Sequence, residues 1–180
     1  IAFATHLSYF HGYTVNSIIE EGFEVKHKIE SLLLGDTEES ISSSVGLTIL
    51  KFSSFWANNR DYDIVFCLGD RYEMFAAVTA GIPFNLRFAH LHGGEKTLGA
   101  IDNIFRHAIS HASQYHFSAT DEYATRLKQM LDSSNHVFNV GALSLDNLLD
   151  IPLFTIEEFQ AAWQIDMRRP TVLVTYHPET

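Results

Sequence analysis

Polar and apolar positions along the chain fall into two alternating textures: short apolar runs closed by glycine or aspartate, and longer segments whose apolar residues recur every three or four positions. The longest helical segment covers 38–58, where Ile41, Val45, Leu47, Thr48, Leu50, Phe52, Phe55 and Trp56 recur at roughly helical spacing. Asp36 or Thr37 caps it, and acids in its first turn suit the positive end of the helix dipole. Before it, 18–34 has no clean period and a turn is expected at Glu21-Gly22. After it, Asp61-Tyr-Asp breaks the pattern, and Ile64-Val-Phe-Cys-Leu68 reads as a strand buried on both faces. A helix over 72–80, a strand over 83–90, a Gly93-Gly94 loop, a helix over 100–113, a strand over 115–118, a helix over 121–131 and a strand over 137–140 follow. In the helix over 100–113, Ile101, Phe105, Ala108, Ile109 and Ala112 form the expected apolar side.

Alternation of this kind predicts an α/β fold, a Rossmann-like parallel sheet with helices on both faces. Ligands of such sheets bind outside the carboxyl ends of the strands. Beyond Asp150 the texture changes. Pro152 and a helix over 156–163 suggest a connection, Arg168-Arg-Pro170 a break, and Thr171-Val-Leu-Val-Thr-Tyr176 a new apolar strand ending at His177. The expected organisation is therefore an N-terminal domain over 1–150, a connecting segment over 151–170, and the first strand of a second, unfinished domain over 171–180.

Composition narrows the partners. The 180 residues are 46% hydrophobic and 19% charged, with a formal net charge of -10, so nucleic acid is not an expected partner. An anionic small molecule remains compatible, because local cations decide its binding. The single cysteine, Cys67, rules out an internal disulfide framework and fits a reducing, cytoplasmic setting. No apolar run approaches the roughly 20 residues that span a bilayer, so no membrane is expected as a partner.

Three strand ends carry polar clusters. In Leu68-Gly-Asp-Arg-Tyr-Glu73, Asp70 and Arg71 stand where a strand meets a helix start, a place that favours anions; an acidic cap with Arg71 paired to Glu73 is the plainer reading. In His90-Leu-His-Gly-Gly-Glu95, two histidines at i,i+2 share a side of a strand. Zinc needs three or four ligands, and no third histidine or nearby cysteine completes the set, so a metal is not expected. Gly93-Gly94 permits close backbone approach, and Glu95 is either solvated or functional. In Gly99-Ala-Ile-Asp-Asn-Ile-Phe-Arg-His107, Asp102 and Arg106 share a helix face at i,i+4, alone no more than a surface ion pair. Asp70, Glu95 and Asp102 nevertheless fall at the carboxyl side of successive βα units. Three carboxylates at one sheet edge suggest proton transfer, with Arg71, Arg106 and His177 balancing charge or holding an anion.

The segments Gly-Asp-Arg-Tyr-Glu at 69–73, His-Gly-Gly-Glu at 92–95, Gly-Ala-Ile-Asp-Asn at 99–103, Arg-His-Ala-Ile-Ser at 106–110 and His-Pro-Glu-Thr at 177–180 stand in one order. Together they resemble the UDP-N-acetylglucosamine 2-epimerase family, and His-Gly-Gly-Glu resembles its hydrolysing branch, which serves sialic-acid-like nonulosonate synthesis. The resemblance implies two Rossmann-like domains in the glycosyltransferase-B arrangement, of which this chain carries the N-terminal half without its first strand. It implies anti elimination of UDP from a UDP-2-acetamido sugar to a glycal, then hydration to a free manno-configured sugar. No cofactor, nicotinamide or metal, is implied, and the complete protein is expected to be a homo-oligomer.

Position by position, the resemblance makes Asp70, Glu95 and Asp102 catalytic carboxylates. Arg71, Glu73 and Arg106 become substrate-binding residues, and His177 both a diphosphate contact and an acid for departing UDP. A non-hydrolysing epimerase, a glycosyltransferase-B-type sugar transferase and a nucleotide-sugar-binding module without turnover are alternative readings of the same residues.

Overall fold

The computed structural model describes residues 1–175, which divide into two compact units at 140/141. In the first unit β1 (Ala2–Phe3) pairs in parallel with β2 (Lys28–Ile29), with two short 3₁₀ turns and α1 (Val15–Glu20) between them. α1 ends at Glu20 with Glu21 as its C-cap, and Gly22 turns the chain at φ 90°, where the turn was expected. α2 (Glu38–Asn58) then leads to a second sheet. Thr37 caps α2, its side chain accepting from the Ser40 amide at 3.1 Å.

The second sheet runs β3 (Val65–Leu68), β4 (Phe88–Leu91), β5 (Tyr115–Ser118) and β6 (Val137–Asn139), in that order and all parallel. The connections carry α3 (Tyr72–Gly81), α4 (Asp102–Ala112) and α5 (Asp121–Met130). The parallel α/β class read from the alternating pattern is the class observed. The strand expected over 83–90 is shorter, because Pro83 lies in a 3₁₀ turn (Ile82–Phe84) and the ladder opens only at Phe88.

Strand order decides which face is covered. Parallel crossovers are right-handed, so strands laid down successively in one direction place all their helices on one face. The ladder aligns Cys67 with His90 and His90 with His116, which fixes that face. Ser110 of α4 and Leu127 of α5 both lie against Gly93 beside the His90 ring. The opposite face presents Phe66, Leu68 and Phe138, with Phe117 stacked between Phe66 at 6.2 Å and Phe138 at 5.6 Å. β3 is thus buried on one face and not on both as its continuous apolar run suggested: Cys67 is 1% exposed and its neighbour Phe66 63%.

The core lies under the covered face. α2 packs on α3, and Phe52 and Trp56 join Ala77, Val78, Ala80, Phe88 and Ile109. The Trp56 indole N–H donates to the Ala77 carbonyl at 3.2 Å, so a large ring is buried without an orphaned donor. β1 and β3 are each a sheet edge. Between them lies an apolar slot of about 260 Å³ lined by Ile1, Phe3, Phe52, Trp56, Val65 and Cys67.

The second unit holds α6 (Leu143–Asp150) and α7 (Ile156–Trp163). α7 stands where a connecting helix was expected and carries a full capping box between Thr155 and Glu158. α6 was not anticipated: Leu143-Ser-Leu145 starts with strand-like alternation, and only Leu148 restores a helical period. Residues 171–175, expected to begin a strand, pair with no described segment, and Val172, Leu173 and Val174 are all more than four-fifths exposed. Among the described residues no helix is long and apolar enough to cross a membrane.

The two faces of α2 make a direct test. Truncating buried Phe52 to Ala removes a ring from the α2–α3 seam and should cost about 3–5 kcal/mol in urea unfolding. Leu50→Ala, on the exposed face of the same helix, should stay within about 0.5 kcal/mol.

Candidate active site

The carboxyl end of β3 leads through Gly69, at φ 81°, into Asp70 and Arg71 before α3 begins. Asp70 does not cap that helix. Its carboxylate ion-pairs with Nη2 of Arg106, which reaches it from α4. Arg106 is 5% exposed, and a guanidinium so far from water needs acceptors on several sides. It donates from Nη1 to Oδ1 of Asn103 at 3.0 Å and from Nη2 to Oγ1 of Thr97 at 3.3 Å. Asn103 in turn binds the backbone of Thr97 and the carbonyl of Ala100, tying the 97–100 loop to the same guanidinium.

This arrangement replaces the i,i+4 pair expected between Asp102 and Arg106: the ion pair that Arg106 makes is with Asp70, 36 residues away in sequence. It also rotates α4 relative to its expected apolar side. Arg106, Ile109 and Ser110 are buried, while Ile101 is exposed. Asp102, first residue of α4, has its carboxyl pKa raised, chiefly by burial and then by the charge of Asp70. Arg71 and Glu73 form a two-point ion pair, Nε to Oε2 at 3.1 Å and Nη2 to Oε1 at 3.2 Å. Glu73 is buried in it, while the Arg71 side chain stays largely exposed.

The β4 end carries the two histidines, and the fold separates their tasks. His90 is fully buried. Its Nε2 lies 2.7 Å from the Gly69 carbonyl, which only accepts, so Nε2 carries the proton and Nδ1 accepts from the Ser110 hydroxyl at 2.9 Å. Burial lowers its pKa to about 4, so the ring is a neutral brace between β3, β4 and α4. His92 lies beyond the strand at φ 63°, and its Nδ1 sits 2.7 Å from Oε1 of Glu95. The side-by-side pair read from their spacing is therefore not formed. Among the described residues no group of three or more His, Cys, Asp or Glu side chains is placed to hold a metal ion.

Of the glycines between these residues, Gly94 is required by contact and Gly93 leaves little room for a side chain. A Cβ on Gly94, at φ 78°, would stand 2.5 Å from the Tyr123 carbonyl, and one on Gly93 would stand 3.0 Å from His90 Nδ1 and Ser110 Oγ. Arg126 of α5 donates to the Gly94 carbonyl at 2.6 Å while pairing with Glu122.

Five of the residues singled out in the sequence are therefore neighbours: Asp70, Arg71, Glu73 and Arg106 all act electrostatically on Asp102. Glu95 stands on the adjacent strand end with His92 as its partner. His177 lies outside the described residues. Asn103, Ser110 and Arg126 were not anticipated. Asn103 and Ser110 stand inside recognised segments, but nothing in the spacing marks Arg126, which reaches the loop from 32 residues away.

Fold and site define a Rossmann-like α/β domain with carboxylates and guanidinium groups gathered at the carboxyl edge of a parallel sheet. The chain belongs to the UDP-N-acetylglucosamine 2-epimerase family, whose model matches residues 1–180. It is 35% identical over its whole length to the GDP/UDP-N,N'-diacetylbacillosamine 2-epimerase (hydrolyzing) of Campylobacter jejuni, covering 46% of that protein. It is 36% identical over 96% of its length to the UDP-N,N'-diacetylbacillosamine 2-epimerase (hydrolyzing) of Legionella pneumophila, covering 45%. It is 33% identical over 97% of its length to the polysialic acid biosynthesis protein P7 of Escherichia coli, covering 44%. The chain thus spans less than half the length of these relatives. Among solved structures it shares its fold with the UDP-GlcNAc 2-epimerase of Neisseria meningitidis bound to UDP-GlcNAc (TM-score 0.65, 19% identity, 77% of this chain and 38% of that one). A second UDP-N-acetylglucosamine 2-epimerase structure aligns at TM-score 0.67 with 15% identity, over 74% of this chain and 38% of that one. These neighbours have a GT-B-like fold.

The buried imidazoles set an acid limit on stability. His90 and His116 are both lowered, mainly by burial, from 6.5 to about 4. Below pH 6.5 the unfolded chain takes up protons that these rings refuse in the folded state until about 4. Stability should therefore fall as pH drops through that window and owe nothing to these rings above it. Urea unfolding should show a loss of more than about 1 kcal/mol between the two ends of the window.

Proposed function

We propose that the complete protein is a hydrolysing UDP-2-acetamido-sugar 2-epimerase, acting on UDP-N-acetylglucosamine or its N,N'-diacetylbacillosamine analogue. Elimination of UDP needs a base for the C2 proton and cationic or acidic help for the leaving diphosphate. Hydration of the resulting glycal needs an acid to return a proton to C2 and a base for water. The observation that carries the reading is the juxtaposition of two carboxyl groups in unlike environments. Asp70 is an ion-paired carboxylate fixed by Arg106, and the carboxyl of Asp102 beside it is raised above the usual carboxylate range, by burial first and then by the charge of Asp70. Neighbouring carboxyls in unlike environments are how one site can supply both a base and an acid.

In this reading Asp70, Asp102 and Glu95 supply the carboxylate chemistry. Arg71, the exposed member of its pair with Glu73, meets the anionic substrate, and Glu73 orients it. Arg106, nearly buried, serves the substrate edge by fixing Asp70. His177 contacts the diphosphate and protonates departing UDP. The elimination breaks the C2–H and C1–O bonds and the hydration forms a C–H and a C–O bond at the same carbons, with no net change of oxidation state, so the reaction as written calls for no hydride carrier. The relatives named as hydrolyzing enzymes support free sugar plus UDP as products. A second nucleotide-binding domain after residue 170, homo-oligomeric assembly and a cytoplasmic workplace belong to the same proposal.

In deuterium oxide the complete protein should convert the UDP-sugar to UDP and a free manno-configured sugar carrying one deuterium at C2. Recovery of the intact C2-epimeric UDP-sugar as final product, or a product without deuterium at C2, would contradict this. Asp70→Asn should lower turnover by about 100-fold or more, with the circular dichroism spectrum unchanged.

A further inference from the structure

The β4 loop holds a second charged unit that the carboxylate cluster does not use. His92 adopts φ 63°, a backbone region that side chains other than glycine rarely enter and that tends to persist where surrounding structure enforces it. That enforcement is visible. The His92 amide donates to the Phe117 carbonyl of β5 at 2.9 Å. Two residues on, Arg126 holds the Gly94 carbonyl at 2.6 Å, and Gly94 is pressed against the backbone of α5. The turn between these anchors brings Oε1 of Glu95 to 2.7 Å from His92 Nδ1. A carboxylate only accepts, so Nδ1 carries the proton and Nε2 of the neutral ring keeps its lone pair. About a quarter of each side chain remains accessible, unlike His90, whose two nitrogens are both engaged in the interior.

We propose that His92 is a proton-transfer residue of this site, the base for the water that adds to the glycal, with Glu95 as its positioning residue. The inference rests on the epimerase reading above and gives Glu95 its part through His92. In the step, a water oxygen bonds to C1 of the glycal and its proton passes to the Nε2 lone pair. The C1–C2 π electrons meanwhile take a proton at C2 from a carboxylic acid, for which Asp102 is placed. The imidazolium formed is held by Glu95 and returns its proton to solvent or to the spent carboxylate. Elimination of UDP uses the Asp70–Asp102 cluster and leaves His92 unchanged.

The test uses the full-length protein with His92→Gly, which accepts the left-handed backbone without strain, and His92→Asn, which tolerates it. Both should still release UDP and lose the C2 proton within about 3-fold of the parent, while free-sugar formation falls roughly 100-fold and glycal accumulates. Added imidazole should restore free-sugar formation in His92→Gly at least about tenfold, and should fail to do so in His92→Gly/Glu95→Gln, where nothing orients the added ring. Equal loss of elimination and hydration in both single variants, absence of glycal, or rescue that ignores Glu95 would overturn the proposal. If the parent enzyme itself neither releases UDP nor incorporates deuterium at C2, the epimerase reading fails, and His92 with it.

Discussion

A guanidinium group withdrawn from water must find an anion and further acceptors, and Arg106 dictates much of what surrounds it. It cannot sit against the sheet unless Asp70 comes to it from β3 and Asn103 and Thr97 close on it from the α4 approach. Breaking such a pair by removing one partner typically costs 3–5 kcal/mol, because the survivor is left buried and uncompensated. The pair therefore fixes the rotation of α4, the position of Asp70 and the path of the 97–100 loop together. That rotation turns Ser110 inward, where it meets His90, and His90 completes the circuit by donating to the Gly69 carbonyl next to Asp70.

The same economy appears at the neighbouring strand end. Gly94 admits α5 so closely that a side chain there would collide with the Tyr123 backbone, and a Cβ on Gly93 would press tightly on His90 and Ser110. The reward is a turn rigid enough to hold His92 in an unfavourable backbone conformation with Glu95 against its ring. The two strand ends thus carry different chemistry on one scaffold, a carboxylate–guanidinium cluster after β3 and a histidine–carboxylate pair after β4.

Much of the fold was legible in the sequence, because period and punctuation agree with tertiary structure through most of the first unit. α2, α3, β5 and α5 stand within about two residues of where their patterns place them. The misreadings came from features that local pattern does not encode. The run at 64–68 is apolar throughout, yet only strand order reveals that its helices all fall on one side. Asp102 and Arg106 look paired on a helix, yet a partner 36 residues away wins because it can follow Arg106 into the interior. The gathering of Asp70, Arg71, Glu73, Asp102 and Arg106 was foreseen from strand-end positions and family motifs. Asn103, Ser110 and Arg126 were not, since each works by supporting another group through contacts of long sequence separation or on the polar side of a helix.

The claim on which the rest depends is that Asp70 and Arg106 act as one unit across β3 and α4. A double-mutant cycle on unfolding free energy, with Asp70→Asn, Arg106→Met and the double variant, reads that coupling directly. An interaction energy of more than about 1 kcal/mol is the predicted result. Costs that add to within about 0.3–0.5 kcal/mol, as they do for independent sites, would contradict it.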